Sequence, residues 1–297
     1  MNDKRHSILC PNCRKLISVD ELRCPYCGTR RPGSWWKNNL WTQSYYGPEQ
    51  LVKTIIYINL AIYFISLIFI PRASSLSLNP LTFLSPDSFS LLLLGATGTE
   101  SIDRFPLYLK AAGITPLLID RVTRLWTLLS ANYLHGGVLH IFFNMFALRQ
   151  LALLVVREYG PFRMIVIYTF GGVIGFWVSY LAGVGLTIGA SAAVCALIGA
   201  LLYYGKSRGG VYGHAIYRQI GGWAVGLFLF GLLVPGINNW GHGGGIVAGA
   251  LLGFVLKYQE KAQENIVHKS IAAVCVIVTL ITLGWAVLSS LFYRIMS

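Results

Sequence analysis

Seven stretches of fifteen to nineteen residues carry almost no charge, and they leave this chain few ways to fold. They fall at residues 52–70, 139–156, 164–181, 189–204, 220–234, 241–256 and 271–288. A hydrocarbon core of about 30 Å takes about 20 apolar residues at 1.5 Å each, so segments of this kind are sized to cross a bilayer as helices. A soluble all-α core would carry about a quarter charged residues. Here the charged share is 12% and the hydrophobic share 55%. The expected class is an all-α polytopic membrane protein. No cleavable signal peptide is expected, because the first apolar stretch follows some fifty polar, cysteine-bearing residues.

Basic residues set the expected orientation, since cytoplasmic loops collect Lys and Arg. The N-terminal tail carries Lys4, Arg5, Arg14, Lys15, Arg23, Arg30, Arg31 and Lys37. Further clusters follow the second, fourth and sixth apolar stretches: Arg157 with Arg163, then Lys206, Arg208 and Arg218, then Lys257, Lys261 and Lys269. The connections around residues 183–187 and 235–240 contain neither. The N-terminus is therefore expected inside and, after seven spans, the C-terminus outside, in a cell membrane. The formal charge of +13 reads as topology and attraction to anionic lipid headgroups, and no nucleic-acid partner is expected. The long connection at 71–126 then lies outside. Its apolar pieces at 91–94 and 105–112 are too short to span and are expected to lie at the membrane surface.

Ahead of the apolar region, Cys10-Pro11-Asn12-Cys13 and Cys24-Pro25-Tyr26-Cys27 form two C-x2-C pairs. Four thiolates at this spacing suit one tetrahedral Zn²⁺. So short a segment has little apolar core, and the metal would supply its folding energy. With Cys10, Cys13, Cys24 and Cys27 all engaged, no coordination position stays open, so the zinc is expected to be structural. Trp35, Trp36 and Trp41 follow in a linker and suit a membrane interface. Cys195 and Cys275 lie inside apolar stretches as buried fillers.

Polar side chains at membrane depth are costly and usually mark function. Ser191 opens the fourth stretch and His242 the sixth, at ends expected on the same, outer side. A serine hydroxyl is a weak nucleophile until a base takes its proton, and histidine is the usual base. Gly245, Gly249 and Gly253 follow His242 along one helical face, where a partner backbone can approach. Gly189, Ser191, Cys195 and Gly199 keep the expected facing side small. There is no Asp or Glu between Glu158 and Glu260, so the pair is a Ser-His dyad unless an acid of the outer connection folds in. In the second stretch His140 and Asn144 are four apart and share a face. With the Ser191 backbone N–H they could cradle an oxyanion; otherwise they hydrogen-bond between helices. His135 reads as a catalytic neighbour or as a surface or structural residue.

Together these residues resemble the rhomboid family of intramembrane serine proteases. The resemblance covers about residues 52–258. It rests on His135, His140 and Asn144, on Gly189-x-Ser191, and on His242-x-x-Gly245-x-x-x-Gly249. It implies a serine endopeptidase that cleaves single-pass or other transmembrane proteins and needs no catalytic cofactor. Ser191 would be the nucleophile, His242 the base and then the acid, and Asn144 and His140 the oxyanion donors. The fifth apolar segment would be a lateral gate for substrate. Some positions depart from the family pattern. Ala192 stands where glycine usually ends the serine motif, Cys195 where many members carry an aromatic residue, and Trp126-Thr127 where Trp-Arg is usual, with Arg124 nearby.

The expected layout is a zinc-ribbon-like head at 1–33, a linker at 34–51, a six-helix core at 52–258, and a seventh helix with tail at 259–297. The alternative is a catalytically inactive rhomboid-like protein that binds membrane clients. A transporter would need matched broken halves, which the sequence lacks, and a lipid esterase would use the same dyad on another acyl group.

Overall fold

The computed structural model describes residues 7–11, 15–26, 28–34, 48–68, 83–111, 113, 115, 117, 124–234 and 236–296. Cys13, Cys27 and the Trp35, Trp36 and Trp41 group lie outside them. The chain divides into two compact units, residues 1–55 and 56–297.

In the first unit, β1 (Ser7–Leu9) and β2 (Leu16–Ser18) pair antiparallel with Ile8 opposite Ile17. Cys10, Ile17 and Cys24 form its buried cluster, with Ile8 packed against them. Two turns repeat one pattern: the Cys10 N–H donates to the Lys15 carbonyl, and the Cys24 N–H to the Thr29 carbonyl, both at 2.9 Å. A core this small rarely folds unaided.

Helix α1 (Pro48–Ile68) runs from this unit into the second. The long connection after it holds α2 (Ser88–Leu93), a π-helical turn (Glu100–Arg104) leading into α3 (Phe105–Ala111), and α4 (Thr127–Ser130) with a 3₁₀ turn (Ala131–Tyr133). Six long helices follow: α5 (Val138–Tyr159), α6 (Pro161–Leu181), α7 (Ser191–Arg208), α8 (Gly210–Leu233), α9 (Asn239–Leu256) and α10 (Ile266–Met296). Among the described residues, seven long helices thus stand where the seven apolar stretches lie. Five of them, α1, α5, α6, α8 and α10, are long and apolar enough to cross a membrane by length and composition.

Helix α7 forms the centre. Every residue from Ala192 to Leu201 is buried, and α9, α6, α8 and α5 pack around it. Helix α8 is the opposite case, with only Gly213, Ile216 and Ile220 buried. At the start of α6, Pro161 takes a first-turn position where its missing N–H costs nothing. The buried Arg163 guanidinium there donates to the carbonyls of Tyr159, Ala262 and Gln263, and the Arg163 N–H donates to Glu264 Oε1 (2.8 Å). The α9–α10 connection is fastened to α6 by these bonds.

The apolar pieces of the long connection pack in part against the rest of the protein. Leu91, Leu92, Leu93 and Leu94 are buried, and Phe105 and Leu109 are fully so. Leu92, Leu93, Phe105 and Leu109 cluster with Tyr293, near the end of α10. The Tyr293 hydroxyl accepts the Leu117 N–H (2.9 Å). Short apolar segments bury themselves on whichever partner is nearest, and the seventh long helix is a partner that segment length alone does not disclose.

Candidate active site

Ser191 is the first residue of α7 and is half-buried. The first N–H groups of a helix have no intrahelical acceptor, so the Ser191 end presents backbone donors and the positive end of the helix dipole. The chain reaches this point through Gly189, whose N–H donates to the Ala131 carbonyl (2.9 Å). Gly189 has φ +117°, and a Cβ there would lie 2.6 Å from His140 Nε2. Only glycine fits both the backbone angle and the imidazole. Gly189 therefore packs on α5, whereas the sequence places it on the face toward His242. It is a turn residue outside α7, so helical periodicity does not govern its direction.

His140 lies in the first turn of α5, and its Nδ1 accepts the Gly136 N–H (3.2 Å). In the neutral ring this puts the proton on Nε2, the nitrogen that faces Gly189. Asn144 sits one turn further along, buried, and its Nδ2 donates to the His140 carbonyl (2.8 Å). An amide nitrogen carries two hydrogens, and this bond uses one. His135 is fully buried with its ring edge-on to His140 at 5.2 Å between centroids, so it is no surface residue.

His242 lies in the first turn of α9, buried at 8% exposure, within electrostatic reach of His140. Among the described residues its Nδ1 has no hydrogen-bond partner. The glycine stripe below it faces α7 as expected. A Cβ at Gly245 would come within 2.3 Å of the Ala192 carbonyl oxygen, and one at Gly249 within 1.9 Å of that of Ala196. The approach is reciprocal, for a Cβ at Gly199 would lie 1.9 Å from the Ile246 carbonyl oxygen. Backbone-to-backbone contact of this kind is what small residues permit between helices in lipid. Cys195 lies at the same crossing, its Cβ 3.0 Å from the position a Gly245 Cβ would take.

Arg124, noted beside the Trp126-Thr127 departure, has a structural part that the sequence did not disclose. Its guanidinium is buried, stacks 3.5 Å over the Phe105 ring and 5.0 Å from Trp126, and donates to the Leu92 carbonyl (3.0 Å). It holds the long connection together from two residues before Trp126. An arginine directly ahead of the apolar Leu125-Trp126 pair in a membrane protein is the signal for that part.

In the first unit, Cys10 and Cys24 share one buried cluster and two like turns. Among the described residues no group of three or more His, Cys, Asp or Glu could hold a metal ion. That search does not reach Cys13 and Cys27, which lie outside the described residues.

Fold and composition define an all-α polytopic membrane protein. Within it, residues 122–259 match the protein family described as Rhomboid domain, a stretch that takes in His135, His140, Asn144, Ser191 and His242. RHOMBOID-like protein 4 of Arabidopsis thaliana is 35% identical over 133 residues, which are 44% of this chain and 34% of that protein. Rhomboid protease GluP of Bacillus subtilis is 35% identical over 128 residues, 42% of this chain and 24% of that protein. Inactive RHOMBOID-like protein 8 of Arabidopsis thaliana is 27% identical over 186 residues, 59% of this chain and 52% of that protein. The matches thus span from about a quarter to about a half of the relatives' own lengths.

Proposed function

We propose that this chain is an intramembrane serine endopeptidase acting on transmembrane proteins through a Ser191–His242 dyad. The observation that carries the reading is the backbone contact of α7 with α9 at Ala192 and Gly245, one residue from Ser191 and one turn from His242. Ser191 Oγ attacks the scissile carbonyl while His242 takes its proton, and His242 then protonates the departing amine. Water, activated by the same imidazole, releases the acyl group from Ser191. The Ser191 N–H, His140 Nε2–H and Asn144 amide stabilise the tetrahedral oxyanion, each donor being worth about 10²–10³ in rate. No carboxylate from 159–259 takes part, because that stretch has none.

Substrate enters from the bilayer past α8, the long helix with the fewest buried residues. The site opens outward, with the N-terminus cytoplasmic and the C-terminus outside. Cys10, Cys13, Cys24 and Cys27 hold a structural Zn²⁺; the paired turns at Cys10 and Cys24 and their shared cluster fit such a centre.

Labelling with a fluorophosphonate in detergent tests the dyad. Label taken up by the wild type and lost in Ser191→Ala and in His242→Ala, with all three folded, is the expected result. Label retained in Ser191→Ala removes Ser191 from the mechanism. A second reading is a client-binding protein without activity, favoured by the similarity to Inactive RHOMBOID-like protein 8 over 59% of this chain. A folded wild type that takes no label, beside an active serine protease that does, would establish it.

A further inference from the structure

His242 and Ser191 lie on different helices, and no carboxylate of α6–α9 orients the base. One neutral side chain spans the gap between the segments that carry them. Asn238 caps α9, its Oδ1 accepting the Gly241 N–H (2.9 Å) and its backbone carbonyl accepting the His242 N–H (3.1 Å). Its amide nitrogen donates twice, to Ser179 Oγ (2.6 Å) near the end of α6 and to Thr187 Oγ1 (2.9 Å). Ser179 is fully buried and Thr187 nearly so. Both amide hydrogens and the amide oxygen are thus engaged.

Thr187 lies four residues before Ser191. Its N–H and carbonyl exchange hydrogen bonds with Thr97 (2.8 and 3.1 Å), and Gly189 is tied to Ala131 two residues later. The stretch leading to Ser191 is therefore pinned on both sides, and Asn238 is the side chain that joins it to the cap of the His242 helix.

We infer that Asn238 is a positioning residue for the Ser191–His242 pair, doing through the backbone what an orienting carboxylate does through the imidazole. The inference rests on the proposed dyad. A carboxylate would fix the ring; Asn238 fixes the depth and direction of the first turn of α9 relative to the segment that delivers Ser191. A neutral amide suits this place because it supplies two donors and an acceptor without burying a charge. Aspartate would keep the cap acceptor, lose both donors and bring a charge to two hydroxyls.

The test uses the full chain in detergent and an alkyl fluorophosphonate, measured over a range of probe concentrations. Wild type, Asn238→Asp, Asn238→Ala, Thr187→Val and the Asn238→Ala/Thr187→Val pair are compared. Misplacing reacting groups by about 1 Å costs about 10²-fold. The limiting labelling rate is expected to fall ten- to hundredfold in the Asn238 variants and less in Thr187→Val, with the half-saturating probe concentration unchanged. The double variant should be no slower than Asn238→Ala, because that change has already broken the Asn238–Thr187 bond that Thr187→Val removes. A merely structural role would lower the amount of labelled protein and the melting temperature, not the limiting rate of the folded fraction. Should Asn238→Ala fail to fold, Asn238→Asp and Thr187→Val carry the comparison. Wild-type rates in the folded Asn238 variants, or additive losses in the double variant, overturn the inference and leave the dyad standing. A wild type that takes no label overturns both.

Discussion

Gly249→Ala puts the α7–α9 contact to a quantitative test. The added Cβ would lie 1.9 Å from the Ala196 carbonyl oxygen, 2.5 Å from its carbon and 2.6 Å from its Cα. All three atoms are backbone, so no rotamer change relieves the clash. Ordinary contact begins near 3.4 Å, and 3.4 less 1.9 leaves about 1.5 Å to be found by moving one helix off the other. Over-packing of this kind costs about 1–3 kcal/mol in a close-packed interior. Gly249 is seven residues from His242, about 10 Å along the axis, so the separation passes up to the Ser191 end as a tilt. A displacement there of even ~1 Å is worth about 10² in rate. Gly243 supplies the control: it neighbours His242 on the same helix, and a Cβ there meets nothing within 4 Å. Both substitutions raise helix propensity equally, so their difference isolates the contact. The expected outcome is a lower melting temperature and about a hundredfold slower fluorophosphonate labelling for Gly249→Ala, with Gly243→Ala at wild-type values. Equal behaviour of the two variants would refute the close approach and, with it, the observation on which the proposed dyad rests.

The remaining expectations concern parts away from that crossing. Tyr293→Phe keeps the ring against Phe105 and loses the acceptor for the Leu117 N–H; the cost is about 0.5–1.5 kcal/mol, read as faster hydrogen exchange at Leu117, and unchanged exchange there would remove α10 as a clamp on the long connection. Replacing Cys10 and Cys13 together by Ser should release one equivalent of zinc, and metal content equal to wild type by mass spectrometry would sink the zinc centre. Burial raises the Glu264 carboxyl above its ordinary 4.5, against the lowering effect of Arg163. The folded state then holds this proton more tightly than the unfolded state. The stability it contributes is complete below about pH 4.5 and lost as pH rises through the raised value. Glu264→Gln keeps the acceptor for the Arg163 N–H and cannot ionise, so its melting temperature should gain on wild type as pH rises from about 4 to 7; a constant difference would refute the assignment.

Much of this was legible in the sequence, because apolar length and the spacing of small residues are local properties. Each of the seven apolar stretches falls almost wholly inside one of the long helices, although α8 begins ten residues earlier and α10 ends eight later than its stretch, and the Gly245–Gly249–Gly253 face turns toward α7 as its period requires. What the sequence hid was the choice of partner. Leu92, Leu93 and Phe105 lie in runs too short to span, a short apolar run is equally content with lipid or with protein, and only the fold brings Tyr293 to them. Gly189 read as helix packing because its neighbour Ser191 is helical, yet its positive φ places it in a turn against His140. Asn238 offered one sequence signal, an Asn three residues before a glycine at a helix start. That pattern announces a cap and says nothing of Ser179 or Thr187.

The helices that carry the proposed dyad are the two long ones that fall outside the apolar class. Neither α7 nor α9 is among the five helices long and apolar enough to cross a membrane by length and composition, and both are rich in Gly and Ala. Lipid tails are as apolar as leucine, so packing between helices in a bilayer gains little from large aliphatic residues and much from close backbones. Helix α7 is covered by α5, α6, α8 and α9 and has little need to be hydrophobic toward lipid. Its lower apolarity is therefore a consequence of centrality. Centrality is also what a serine and a histidine require at this depth, since polar groups are tolerated in a membrane protein where neighbouring protein, or a water-filled cavity, takes the place of hydrocarbon. On this argument the most enclosed of the long helices is the place where chemistry could be housed.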